Sequence, residues 1–538
     1  MNNNQRILGL CIDMLVFVML VISVCSWFVN RSGSDCYAFI KQCSIWLIYI
    51  VLRLSNKLTE HLEKYLIIAV SVMCLFEASL GLVQLLRFMK SEFLIHPCVG
   101  TFNNPGPYAG FLVVCMSIMV AYLFKGEDKY VKGFVVAGLL VSIIILPVTM
   151  SRASFLAFLV GLAFLSLSFP KFKNIVRRYL TWFLILIFLS GSGLYFLKQK
   201  SANGRMHMNI ISTRIIKDSG FWGTGFGSYP VAFGKAQAQY FSELMSGSPD
   251  GMDFSLIPEW ERNVADSPLY AFNEYYQRGV EAGPFYMILF VAFIVLTILQ
   301  SYRAGAVWSY GLICFSVFAI FSYPLEYWEN VTLISLIAAL GNRTPCNMPV
   351  IAPFLTIVVL YCIFFVSMLV PIMNRQKEMA DHIDQIYRWH SLEQFDLIVD
   401  ECSQLDSSDC NNDFFYFMYG DALQKLNEYE KSNRIFKKGA VHSNNPELWN
   451  AMGSNYMSLN EYDNAEKCFK YAFCMIPNRM TPLFNLSKLY YQKGDTESLK
   501  RMYGKIQTFK PKVESVLTGQ MRQEIQLLFE EINNPINN

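Results

Sequence analysis

The stretch DSPLYAFNEYYQRGVEAGPFYMILF, Asp266 to Phe290, decides how this chain folds. Its first part is polar and charged, and after Gly283-Pro284 it becomes an unbroken apolar run. Polar groups in the last turns before a membrane are costly unless they face protein or water. Read as a helix, the segment puts Asn273, Gln277 and Glu281 on one face at i, i+4 and i+8. Glu274 precedes Arg278 by four positions, the spacing of an ordinary helix ion pair.

Working outward, the composition agrees with a membrane setting. Of 538 residues, 53% are hydrophobic and only 16% charged, well short of the roughly 25% charge of soluble domains. The mean hydropathy is +0.30. A net charge of +3 without a basic tract argues against nucleic-acid binding. The 14 cysteines lie mostly within apolar runs such as CSIWLIYIVL (43–52), where they act as small hydrophobes, and no spacing suggests a disulfide framework or a metal site. MNNNQR leads into a long apolar run without a small-residue cleavage site, as a retained first span would.

Apolar stretches near 7–29, 37–54, 65–86, 106–124, 131–149, 153–169, 180–196, 283–300, 306–322, 330–341 and 350–371 are candidate spans. They predict a polytopic helical domain of about eleven spans. Lys and Arg gather in alternate loops (Arg53, Lys57 and Lys64; Lys125, Lys129 and Lys132; Lys171, Lys173, Arg177 and Arg178), which predicts a cytoplasmic N-terminus. An odd span count then places the C-terminus outside, together with the long loop 197–282. Within the spans Asp13, Lys41 and Glu77 read as isolated charges, and no repeat among the spans suggests a transporter.

From about residue 374 the chain is polar and without spans. WNAMGSNYMSLNEYDNAEKCFKYAFCMIP (449–477) carries Trp449, Gly453, Tyr456, Ala465, Phe469, Ala472 and Pro477, the tetratricopeptide pattern of about 34 residues. LNEY recurs at 426–429 and 459–462, which gives repeats near 413–447, 448–480 and 481–515, with 381–403 a worn further copy. The expected architecture is therefore all-α, a membrane domain over 1–373 followed by a soluble repeat domain over 374–538. The repeats predict a protein partner, or alternatively a packing cap on the membrane domain.

Three features ahead of the opening stretch carry chemistry. VGTFNNPGPYAGF (99–111) is a turn-rich lead into a span, with Asn104 as a candidate substrate-binding residue. TMSRASFLAFLVG (149–161) places Arg152 at the outer end of a span, either a snorkelling anchor or an anion ligand. NGRMHMNIISTRIIKDSGFWGTGFGSYPVAF (203–233) reads as a basic amphipathic helix with Ile210, Ile211, Ile215 and Ile216 on one side and Arg205, Arg214 and Lys217 between them. Gly223-Thr-Gly225-Phe-Gly227 follows; it lacks the strand context of a phosphate loop but would fit a membrane surface or lipid phosphate.

Taken in order, the Asn-Pro turn, Ser-Arg-x-x-x-Leu, Gly-Arg followed by Ile-Lys-Asp, Gly-x-Gly-x-Gly, and Asn-Glu-Tyr with Glu-x-Gly before a span resemble the O-antigen ligase superfamily over about 65–340. Its relatives include O-antigen polymerases and bacterial protein O-oligosaccharyltransferases. The resemblance implies a glycosyltransferase-C-like, metal-independent enzyme of the bacterial inner membrane without a cofactor. Its donor would be an undecaprenyl-diphosphate-linked glycan, and its acceptor a glycan, lipid or protein on the periplasmic face. It further implies that Arg152 and Arg205, and less directly Arg214, hold the diphosphate. The family has a histidine where this chain has Phe272, so a different base is expected. Glu274 is the first candidate and Glu281 the second, with His207 and His96 as alternatives remote in sequence. Asn273, Gln277 and Glu281 are expected to bind substrate. A reading from another class is a non-catalytic envelope scaffold that binds glycan lipid and protein.

Overall fold

The computed structural model describes residues 3–87 (apart from 32 and 55), 98–169, 178, 199–342 (apart from 249), 344, 374, 377–405 and 413–533. Among them all regular structure is helical. The chain divides into two compact units, each discontinuous in sequence. One takes Met1–Gln199, Ser219–Gly227 and Tyr270–Val366; the other takes Lys200–Asp218, Ser228–Leu269 and Ser367–Asn538.

The first unit contains α1 (Asn3–Val29), α2 (Cys36–Leu54), α3 (Asn56–Leu85), α4 (Pro105–Lys125), α5 (Lys129–Val148) and α6 (Arg152–Leu167). Leaving α7–α9 for the second unit, it continues with α10 (Glu274–Ala282), α11 (Pro284–Arg303), α12 (Trp308–Ala319) and α13 (Trp328–Gly341). Among the described residues six helices are long and apolar enough to cross a membrane: α1 to α5 and α11; α6, α12 and α13 are shorter and also apolar. These helices coincide with the expected spans, save 180–196 and 350–371, which lie outside the described residues. Large side chains such as Phe17, Phe76, Leu140 and Ile288 face outward, as a hydrocarbon solvent permits. The most enclosed helix is α4, packed among α3, α5, α6 and α12.

The charges that read as isolated are not. Arg53 clamps Asp13 with Nε at 2.9 Å and Nη2 at 2.8 Å. Lys41 pairs with Glu326 at 2.5 Å, and Glu77 accepts hydrogen bonds from the amide and hydroxyl of Thr101. Partners so distant in sequence leave no local signal, yet a charge in a span must find one.

The second unit is built on helix hairpins. They are α14 (377–391) with α15 (Phe395–Gln404), α16 (Asp413–Lys425) with α17 (Tyr429–Ala440), α18 (Pro446–Ser458) with α19 (Tyr462–Met475), and α20 (Thr481–Lys493) with α21 (Thr496–Thr508); α22 (Val516–Asn533) follows. The worn copy around 381–403 is thus a hairpin of the same kind. Each hairpin turn holds one residue in the left-handed region: Glu393, Asn427, Asn460 and Gly494. Between paired helices a small residue is obligatory, since a Cβ on Gly420 or Gly453 would come within 2.3 Å of Phe436 or 2.4 Å of Phe469.

Part of the long loop 197–282 folds into this unit. It supplies α7 (Gln199–Asp218), α8 (Tyr229–Met245) and α9 (Glu259–Val264). The amphipathic helix expected from the isoleucines is α7, with Ile211, Ile215 and Ile216 buried. Phe241, Met245, Met252 and Phe254 share one core with Phe469, Phe473, Met475 and Phe509 of the repeats. The loop was expected to go with the membrane domain. Instead, the apolar stripe of α8 is buried against α19, and only 219–227 and 270–282 stay with the membrane helices.

Candidate active site

The opening stretch folds as a short helix, α10, whose polar face is turned inward. Asn273 caps it, its side-chain oxygen accepting from the amides of Tyr275 and Tyr276. Glu274 is fully buried; its Oε1 accepts from Arg278 Nε at 2.8 Å and its Oε2 from the Leu325 amide at 3.1 Å. Gln277 accepts from the Ala271 amide and donates to Glu281 at 2.8 Å. Arg278 also reaches Glu281 at 3.3 Å and Glu326 at 3.6 Å, and Glu326 takes Lys41 on its other side. The polar groups that looked exposed to the bilayer thus satisfy one another.

Three carboxylates (Glu274, Glu281, Glu326) face two cations (Arg278, Lys41), so one proton is needed to balance the cluster. Burial raises Glu281 to about 7; the charge of Arg278 opposes this and Glu326 adds to it. Glu274 is raised by burial as well, against the pull of Arg278. For Glu326 burial also pushes upward, but Lys41 and Arg278 outweigh it and hold it below the ordinary carboxylate range.

The Gly-x-Gly-x-Gly run has a different use from the one expected. The amide of Thr224 donates to Val280 O and that of Gly225 to Glu281 O, both at 2.9 Å, and the Gly227 amide donates to Glu281 Oε1 at 3.1 Å. These amides face α10 and are spent there, not on a lipid phosphate. Gly223 has φ +70°, and a Cβ there would lie 2.5 Å from Glu281 O.

Around α10 lies an aromatic group. Tyr270 stacks on Tyr323 with centroids 4.4 Å apart, Phe272 meets Tyr323 edge-on at 4.9 Å, and Tyr327 lies parallel at 6.3 Å. Phe272, the position of the family histidine, has φ +50°, a conformation that a bulky side chain adopts only when its surroundings impose it. Asn104 reaches the same group: its Oδ1 caps α4 through Gly106 N, and its Nδ2 donates to Tyr323 Oη at 3.2 Å. The structure thus gathers Asn104, Phe272, Asn273, Glu274, Gln277 and Glu281. The sequence reading missed Lys41, Tyr270, Tyr323 and Glu326. The signal available for the last two was the aromatic, acid-bearing loop SYPLEYWEN (322–330), which is too rich in Tyr and Trp for a plain connector.

Arg152 is the first residue of α6, half-buried, after a turn in which Met150 has φ +49°. Arg205 and Arg214 lie on α7 in the other unit. Arg214 is paired with Glu243 at 2.5 Å. His207 is buried there too, hydrogen-bonded to Gln237 at 2.9 Å and stacked on Phe241. His96 lies outside the described residues. Among the described residues no group of His, Cys, Asp and Glu is placed to hold a metal ion.

Fold and site together define a multi-pass membrane protein with a buried polar cluster and a helical-repeat unit. Residues 137–291 match the family model described as O-Antigen ligase, and residues 446–473 match a tetratricopeptide repeat. No curated protein matches the chain. The chain thus joins a segment similar to the O-antigen ligase family to a C-terminal tetratricopeptide region. The matched segment contains Arg152, Arg205, Arg214 and all of α10.

Proposed function

We propose that this protein transfers a glycan from an undecaprenyl-diphosphate carrier to an acceptor on the periplasmic face of the inner membrane. The observation that carries the reading is the O-antigen ligase match over 137–291, which encloses both candidate diphosphate arginines and α10 with Glu274, Arg278 and Glu281. The acceptor oxygen forms the new glycosidic bond at the anomeric carbon as the bond from that carbon to phosphate breaks. The diphosphate leaves with the electron pair, and the acceptor's proton passes to it or to solvent. Charge builds on the phosphates in the transition state. The guanidinium groups of Arg152 and Arg205 are suited to stabilise it without a metal, with Arg214 as an auxiliary.

Glu274 serves this reaction by positioning. Both of its oxygens are engaged, and through Arg278 and Leu325 it ties α10 to the 324–326 turn next to Tyr323. Tyr270 and Phe272, only partly buried, offer ring faces on which the apolar face of a sugar stacks, with Asn104 at the rim for hydroxyl groups.

The periplasmic location of the repeats rests on the Lys and Arg asymmetry of the loops, and the loop and the repeats go together. Residues 228–269 and the repeats share one core, so both must lie on one side of the membrane. Protein recruitment through the repeats belongs to the same proposal.

The test is surface-glycan analysis in a deletion strain complemented by variants. Loss of a ligase leaves long chains unattached, loss of a polymerase leaves single repeat units, and loss of a protein oligosaccharyltransferase leaves proteins bare. Arg152→Ala and Arg205→Ala are expected to reproduce the deletion at normal protein level, with Lys a poor substitute for either. Unchanged glycans in the deletion strain would point to the scaffold reading instead.

A further inference from the structure

The segment Arg262–Pro268 runs from the end of α9 toward α10 and, beyond Val264, has no regular structure. Its carbonyls therefore lack partners of the usual kind, and a buried carbonyl left unpaired is costly. The repeats supply the partners. Asn478 Nδ2 donates to Arg262 O and Ala265 O, both at 2.8 Å. Asn444 Nδ2 donates to Pro268 O at 3.1 Å. Lys512 pairs with the Asp266 carboxylate at 2.7 Å, and its own amide donates to Asn478 O. The Asp266 carbonyl takes Gln237 of α8, which also donates to Met475 O of the array.

The three repeat residues occupy one recurring position. Asn444, Asn478 and Lys512 follow one another at the repeat period, each in the turn that ends one hairpin. Asn444 and Asn478 are 6% and 3% exposed, so neither is a chance surface contact. Arg262 adds to the seal, its guanidinium over the rings of Phe254 and Phe509 at 5.2 and 5.9 Å. A periodic array has been fitted to a non-periodic strand of its own chain. Four residues after Pro268 comes Phe272, with its imposed left-handed backbone.

We infer that the repeat array is an internal clamp, in which Asn444, Asn478 and Lys512 are positioning residues that fix segment 262–268 and through it the lead-in Tyr270–Asn273 to α10. The part about catalysis rests on the proposed transfer reaction; the part about the clamp does not. A partner bound by the repeats must use surface other than this ledge.

The experiment uses the full-length protein in nanodiscs and follows amide hydrogen exchange together with glycan transfer. Asn478→Asp removes both donated bonds and sets a carboxylate against two carbonyls. Lys512→Glu breaks only the exposed pair and leaves packing intact. Exchange is expected to rise at least tenfold over 262–276 in Asn478→Asp and severalfold in Lys512→Glu, while α16–α21 keep their protection. Turnover should fall in parallel, with the KM for donor little changed. Combining Lys512→Glu with Asp266→Lys should restore both readouts, which general damage to the fold would not allow. Faster exchange that stops at 268, or a charge swap that restores neither readout, overturns the clamp. If Asn478→Asp does not fold, the Lys512 and Asp266 variants decide. A parent protein that shows the exchange pattern and transfers no glycan overturns the proposed function and leaves the clamp standing.

Discussion

At the scale of single residues, the cluster under α10 is governed by a charge imbalance. Glu281, at the last turn before α11, keeps a proton that an exposed glutamate would lose, because burial penalises its charge more than Arg278 rewards it. Its folded pKa of about 7 lies above the ordinary 4.5, so between these values the folded protein binds more proton than the unfolded chain. Stability from this group is complete below about 4.5 and falls as pH rises through 7. Glu274 is shifted in the same direction and adds to the trend; Glu326 is shifted oppositely and acts below that window. The melting temperature in detergent should therefore drop between pH 4.5 and 7. Glu281→Gln should flatten that slope. A slope identical to the parent's would place the proton elsewhere.

At the scale of elements, the glycine run and α10 form one device. The backbone of 224–227 lies close along the end of α10, and two glycines make this possible. Gly223 has φ +70°, and Gly283, at the junction of α10 and α11, has φ +94° with Phe221 O where a Cβ would stand. In Gly223→Ala the left-handed backbone alone costs about 1–2 kcal/mol. The clash with Glu281 O adds to this because neither backbone can yield. The expected result is a lower melting temperature and faster exchange at the amides of Thr224 and Gly225. Gly220→Ala is the control: it has a similar φ of +69° but open space at its Cβ, and should cost less. Equal loss in the two variants would mean that φ alone matters and the packing does not.

At the scale of the molecule, the repeats are not an appendage. If they were, truncation after Arg375 would leave a membrane protein with a folded loop 197–282. The shared core says otherwise: removing the repeats uncovers Phe241, Met245, Met252 and Phe254 and leaves the carbonyls of Arg262, Ala265 and Pro268 without donors. The truncated chain should insert with α1 to α6 protected while 228–269 becomes sensitive to protease and transfer is lost altogether. A truncated protein with a protease-resistant loop would show that the array is a separable module.

What the sequence determined by itself was whatever obeys a short period or a bulk composition. Apolar length marked the membrane helices, because a bilayer demands it of each helix separately. The isoleucine spacing marked α7. The recurrence of LNEY marked two of the hairpins, each with an asparagine in the left-handed turn and a glycine under a phenylalanine. Glu274 and Arg278 announced their pairing by spacing alone. Only the tertiary structure decided where the charged residues of the spans find partners, with Asp13 meeting Arg53 and Lys41 meeting Glu326. It alone showed the glycine run, expected at a membrane surface or lipid phosphate, to be a brace, and brought Asn104 and Tyr323 to Phe272. It also gave the middle of the long loop 197–282 to the repeats. The physical reason is the same throughout: an unpaired charge, carbonyl or apolar stripe states in the sequence that it needs a partner, but the partner's identity is fixed only when distant segments pack together.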